Sequence, residues 1–189
     1  MERWGAEPIV GVAISLGGMT LFQWAQKYPS DFNGVVLINI SLPQINAISD
    51  RFDLARIGRL LPLFLFLKGE KKEELVFRLT SNIDDAEKKK ILARWVEIEK
   101  KYPISVKNLW RQIVLARSFK PIVHPPAVPI LFLNSAKDRL VKPICSEQIA
   151  KFYQLELHRH PTAGHDLPLD DPDWILSKVQ TWASTLAKQ

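Results

Sequence analysis

The chain has one cysteine, Cys145, among 189 residues. No internal disulfide can form, and nothing in the composition calls for an oxidising compartment. The opening "MERWGAEP" carries two acids and no apolar core of the signal-peptide kind. Long hydrophobic runs are absent. The longest nearly unbroken one, "LLPLFLFL" from Leu60 to Leu67, is far short of a bilayer span. These absences lead to the expectation of a soluble, cytoplasmic protein. What is present is ordinary for a globular chain, with 47% apolar and 24% charged residues. The length suits one domain with a substantial core, or a domain plus a modest insertion.

The formal net charge of +6 raises a nucleic-acid reading, so its placement matters. Residues 51–120 hold 17 Lys+Arg and 9 Asp+Glu, a balance of +8, while the remainder holds 9 and 11, a balance of −2. The excess is therefore confined to the middle, where it is interleaved with acids in "KGEKKEE" and "DDAEKKK". That mixture reads as a solvated helix surface, and no nucleic-acid partner is expected. Binding to an acidic surface is the alternative for this segment.

The chain opens with alternating strand and helix patterns. "IVGVAIS" is a continuous apolar run of strand length, as expected of a strand covered on both faces. "GGMTLFQWAQKYP" places Met19, Phe22 and Ala25 at helical spacing, with Leu21 and Trp24 alongside, and Pro29 ends it. "GVVLINIS", residues 34–41, reads as a second buried strand. Strand, helix, strand with short links is a right-handed parallel crossover. From residue 42 to about 120 amphipathic helical patterns take over: "RFDLARIGRLLPLFLFL", "KKEELVFRLTSN", "AEKKKILARWVEIEKKY" and "SVKNLWRQIVLARSF". In the third, Ile91, Trp95 and Ile98 share a face that Leu92 and Val96 widen. A proline-rich re-entry, "KPIVHPPAVP", then delivers a third strand, "PILFLNSA". A helix "ICSEQIAKFY", a fourth strand "LELHRH" and a last helix follow. At "DDPDW" Asp171 can cap that helix, Pro172 takes its first position and Asp173 complements the dipole. The expected domains are a core of residues 1–41 and 121–189 and a helical unit of residues 42–120.

Three positions carry chemistry. In "AISLG" a serine sits between strand and helix, with the small residues Ala13 and Gly17 two positions either side. A nucleophilic hydroxyl must project above the sheet from a sharp turn, and small flanking residues let strand and helix approach that closely. Ser15 also fits a second role, as a helix N-cap. In "NSAKDRLVKP" Asp138 follows a strand end, on the edge where parallel sheets build sites. It could orient a histidine, or simply form a turn. In "TAGHDLP" His165 follows a small, flexible loop after the last strand. His124 lies in the proline-rich re-entry. His158 and His160 alternate along a strand without the acids or cysteines that would complete a metal site, so they are read as structural.

The order serine, acid, histidine, each after a strand, is that of one superfamily. The chain resembles the α/β-hydrolase family through "VAISLGG" with Ser15, "NSAKDRLV" with Asp138 and "TAGHDLP" with His165. The resemblance covers nearly the whole chain, and the helical unit is matched to the family's lid by position. It implies an α/β fold, a mostly parallel sheet of about four strands with an all-helical lid insertion. It implies Ser15 as nucleophile, His165 as general base and then acid, Asp138 as orienting carboxylate, and the Leu16 N–H as an oxyanion-hole donor. No cofactor and no metal are implied. The expected reaction is hydrolysis of a carboxylic ester or related acyl bond, and the Leu- and Phe-rich lid suggests a small apolar acyl substrate.

The resemblance also implies that four earlier strands, and the loop that supplies a second oxyanion donor, are not encoded here. "IVGVAIS" would then be an open sheet edge, liable to recruit another strand. Residues before Pro8 read as the tail of a preceding helix. The expectation is a truncated hydrolase of impaired activity, a fragment in the first place; a split-protein half completed by another chain, self-pairing through the open edge, and a non-catalytic remnant or scaffold are the alternatives.

Overall fold

The computed structural model describes residues 9–51, 66–120 and 124–186. The expected helix tail before Pro8 and most of the expected helix in "RFDLARIGRLLPLFLFL" lie outside the described residues.

Four parallel strands form one sheet in the order β1 (Ile9–Ile14), β2 (Phe32–Ile38), β3 (Ile130–Ser135), β4 (Leu157–His160). The register sets Val12 against Val36, Leu37 against Phe132 and Ser135 against His160. Parallel neighbours need crossovers, and helices supply them. Helix α1 (Ser15–Lys27) links β1 to β2 and buries Met19, Leu21, Phe22 and Ala25. It stops before Pro29, which opens a short 3₁₀ turn. Trp24, expected near the buried face, is 47% exposed; its indole N–H donates to Asp31 Oδ2 at 2.9 Å.

Alternation along β2 sends its side chains to two cores. Val35 and Leu37 join Phe22, Phe132 and Ile149 on the face covered by α1 and by α6 (Ile144–Tyr153). Val36 and Ile38 join Leu131, Leu133, Leu167 and Ile175 on the other face. That side is closed by the short α7 (Leu167–Asp170) and by α8 (Pro172–Leu186). Asp171 caps α8 as expected, its Oδ1 accepting the Trp174 N–H at 2.9 Å. Each fully buried Leu, Ile or Phe contributes about 2 kcal/mol through loss of apolar contact with water.

Two strands differ from the sequence reading. β2 ends at Ile38 rather than Ser41, because Asn39 takes φ 49° and turns the chain out of the sheet. β1 is not covered on both faces. It is the outer strand among the described residues, and Ile9, Val10 and Val12 are 50%, 43% and 56% exposed.

Between β2 and β3 the described chain is helical: α2 (Ile48–Arg51), α3 (Glu70–Thr80), α4 (Asp85–Lys101) and α5 (Val106–Ser118). Asp84 caps α4 and Ser105 caps α5 with their side-chain oxygens. On α4 the buried residue is Leu92, while Ile98, expected to share the apolar face, is 48% exposed. Phe77 and Trp95 pack α3 against α4 with ring centroids 5.7 Å apart. The buried Arg51 fastens the start of this insertion to its end, donating to Ser41 Oγ at 3.2 Å and to the Ala116 carbonyl at 2.6 Å.

Candidate active site

The carboxyl ends of the parallel strands lie along one edge of the sheet, so the turns that leave them are neighbours. Ser15 leaves β1 there with φ 53°. A non-glycine residue in this left-handed region is strained by about 1–2 kcal/mol. The strain aims the side chain away from the strand instead of along it. Ser15 is the first residue of α1, and among the described residues its hydroxyl caps none of the helix N–H groups. The N-cap role is thereby set aside: an N-cap adopts extended backbone, and here Ile14 does so, at φ −116° and ψ 149°. The Leu16 N–H lies in the first turn of α1, where helix N–H groups lack intrahelical partners and the dipole favours negative charge.

Of the two glycines after Ser15, the one packed tightly is Gly18. A Cβ there would sit 2.4 Å from Ile40 Cγ2 and 3.1 Å from the Ala13 carbonyl oxygen. A Cβ on Gly17 would meet only the Ala13 Cβ, at an ordinary 3.8 Å. Ala13 and Gly17 do face each other across the turn, but the close approach of helix and strand falls on Gly18.

Asp138 and His165 meet in the interior. Asp138 Oδ2 lies 2.7 Å from His165 Nδ1, with side-chain exposures of 1% and 8%. A carboxylate only accepts, so Nδ1 carries the proton and donates, leaving the Nε2 lone pair free to take one. The other oxygen, Oδ1, accepts the N–H groups of Leu140 at 2.8 Å and Val141 at 2.9 Å. Both sequence readings of Asp138 thus hold at once: one oxygen builds the turn and the other orients the histidine. Among the described residues the Ser15 hydroxyl makes no hydrogen bond to His165. Such contacts often tighten only when substrate is bound.

Two further side chains hold the histidine loop, and neither was marked out in the sequence. Asn39, buried and left-handed, donates from Nδ2 to the His165 carbonyl at 2.8 Å and to Ser135 Oγ at 3.0 Å. Its Oδ1 accepts the Ser135 N–H at 2.8 Å. Asp170 accepts the Gly164 N–H at 2.6 Å. An asparagine after an apolar strand and an aspartate near a helix end are too common to signal such roles.

The remaining histidines stand elsewhere. His124 is exposed, and His158 lies 3.6 Å from Glu156. His160 is buried, its Nδ1 accepting the Ala163 N–H at 2.9 Å and its Nε2 facing Asp171 Oδ2 at 3.1 Å. It anchors the same loop to the start of α8. Among the described residues no group of three or more His, Cys, Asp or Glu side chains could hold a metal ion. No described helix is long and apolar enough to cross a membrane. A cleft of about 240 Å³ lies within the helical insertion, where Lys72 and Glu99 pair at 2.9 Å; Ser15, Asp138 and His165 do not line it.

A parallel sheet flanked by helices, with a buried acid–histidine pair at its carboxyl edge, defines an α/β-hydrolase-like protein. A family model described as the alpha/beta hydrolase fold matches residues 1–172, and the chain belongs to that family. No curated protein matches it by sequence. Solved structures do match in fold. One is a Mycobacterium tuberculosis protein provisionally assigned as a non-heme bromoperoxidase, BpoC, at TM-score 0.73 and 16% identity over 95% of this chain. Another is a bacterial membrane phospholipase A, at 0.72 and 14% over 98%. A third is 2-hydroxy-6-oxo-6-phenylhexa-2,4-dienoate hydrolase from Rhodococcus sp. strain RHA1, at 0.70 and 20% over 94%. The chain spans 68%, 59% and 64% of these three proteins, respectively.

Proposed function

We propose that the chain carries the nucleophile half of a serine hydrolase acting on carboxylic esters or related acyl compounds. The observation that supports this best is the buried Asp138–His165 pair on the sheet edge where Ser15 is held at φ 53°. In the proposed reaction His165 Nε2 takes the Ser15 proton as Oγ attacks the acyl carbon. The negative oxygen forms beside the Leu16 N–H. Collapse expels the alcohol, which receives the proton from His165, and leaves an acyl-serine. Water, deprotonated by the same nitrogen, then releases the acid and restores Ser15. Asp138 stays ionised throughout and stabilises the imidazolium. The helical insertion is read as a lid over a small apolar acyl group, and the lone buried Cys145 accords with a cytoplasmic setting. The names of the structural neighbours include an esterase and a lipase, in keeping with this class.

The exposed apolar residues of β1 favour a site that is completed from outside the described sheet. We infer that a further strand, from outside the described residues, pairs with β1 and brings the second oxyanion donor. Without that donor the rate falls by about 10²–10³. The same open edge also supports the rival reading, a non-catalytic remnant that keeps the fold. Fluorophosphonate labelling separates the two. Labelling that disappears in Ser15→Ala supports the hydrolase. A folded chain with no Ser15-dependent labelling and no esterase activity supports the remnant.

A further inference from the structure

We propose that Asp170 is a positioning residue for His165, and that it acts by tying the histidine loop to the root of the helical insertion. The proposal rests on the reading of His165 as the general base. Asp170 ends α7 and never touches the imidazole. Its carboxylate gathers donors from two distant segments. From the histidine loop it accepts the Gly164 N–H at 2.6 Å, one residue before His165. From the end of α3 it accepts the Ser81 hydroxyl at 2.6 Å and the Asn82 N–H at 3.0 Å. Hydrogen bonds to a carboxylate are about twice as strong as neutral ones. Three of them on one group make a rigid junction.

The rest of the junction follows the same pattern. The Asp166 N–H, one residue after His165, donates to the Thr80 carbonyl at 2.7 Å. Asn82 Nδ2 donates to the Thr162 carbonyl at 2.9 Å. Arg139, next to Asp138, donates to the Ser81 carbonyl at 2.6 Å and also to Asn82 Oδ1. The segments touch so closely that a Cβ on Gly164 would lie 2.7 Å from the Thr80 carbonyl oxygen. Residues 80–82 are therefore gripped by the loops carrying both Asp138 and His165. Other restraints on the backbone flanking His165 are Asn39 on its carbonyl, His160 at the start of the loop, the Lys137 N–H on the Ala163 carbonyl, and the Leu169 and Asp170 N–H groups on the Asp166 carbonyl. The insertion is thus part of the frame that fixes the imidazole, and displacing its root displaces the base.

The test compares the full chain with Asp170→Asn and Ser81→Ala. Neither substitution touches the His165 ring. The first places an NH₂ against a donor, and the second removes two bonds on the insertion side alone, from Ser81 Oγ to Asp170 and from the Ile83 N–H to Ser81 Oγ, a milder change. Long-range ¹H–¹⁵N spectra of the histidine rings, with His165→Gln as the assignment control, report its tautomer without any need for catalysis. The wild type should show His165 as a fixed Nδ1–H tautomer. Both variants should shift it toward a tautomer mixture, and Ser15-dependent fluorophosphonate labelling should slow by about tenfold or more with an altered pH profile. Folded variants with unchanged ring shifts and labelling profile overturn the proposal, as does a wild-type ring already averaged between tautomers. If the wild type is not labelled at all, the general-base reading fails, while the ring shifts still decide whether Asp170 and Ser81 hold the imidazole.

Discussion

The side-chain amide of Asn39 donates to the carbonyl of His165 at 2.8 Å, joining residues 126 positions apart. The same side chain binds Ser135, at the end of β3, through both of its polar atoms. Asn39 can do this because its φ of 49° ends β2 and turns the amide into the space between the β3 end and the histidine loop. Asparagine tolerates that backbone region better than most residues. Asn39→Ala leaves buried donors and acceptors unpaired and keeps the backbone strain, so it should cost about 3 kcal/mol in urea unfolding. Asn39→Gly loses the same bonds but relaxes the backbone, and should be about 1 kcal/mol less damaging. Equal losses for the two would show that the backbone at residue 39 is unstrained.

Ser15 holds a left-handed conformation without a glycine's freedom. Ser15→Gly should therefore be more stable than Ser15→Ala by about 1 kcal/mol, although both remove the hydroxyl. Thermal or urea unfolding of the two variants decides this. A Gly variant no more stable than the Ala variant would count against strain at the turn.

The two adjacent glycines should respond in opposite directions. Gly17 is exposed within α1 and has room for a methyl group, so Gly17→Ala should stabilise by about 0.5–1 kcal/mol through helix propensity. Gly18→Ala drives a methyl group into the buried Ile40 and should destabilise by about 1–3 kcal/mol. Unfolding midpoints that move the same way for both would contradict the packing described for the turn.

Burial pushes the Cys145 thiol up to about 12, with the nearby Asp50 charge adding to the effect. A raised thiol pKa means less thiolate at any given pH. At pH 8 only about one thiol in 10⁴ is ionised, some 10³-fold fewer than for an exposed cysteine. Alkylation by iodoacetamide should be negligible in the native protein and rapid in urea. Modification of native protein at the unfolded rate would place Cys145 at the surface.

The sequence and the structure agree best where the information is local. The helix read in "ICSEQIAKFY" spans Ile144–Tyr153, and the cap read at Asp171 is made. Both depend on spacing and capping within a few residues. Agreement weakens where a distant partner intervenes. β2 stops three residues early because Asn39 finds partners on β3 and in the histidine loop. Ile98 stays outside a helix face that its periodicity would have buried: Leu92 is the buried residue there, and α3 meets α4 through Phe77 and Trp95.

Apolar runs, small residues and breakers, acting over a few positions each, determined the parallel α/β arrangement and put Ser15, Asp138 and His165 just beyond strand ends. Only the tertiary structure decided that Asp138 gives one oxygen to its own turn and the other to His165, that Gly18 rather than Gly17 takes the tight contact, and that Asn39 and Asp170 hold the histidine loop from two sides. The reason is physical. Hydrophobic periodicity is written along the chain, whereas a buried hydrogen bond belongs to whichever donor and acceptor the folded loops bring within about 3 Å.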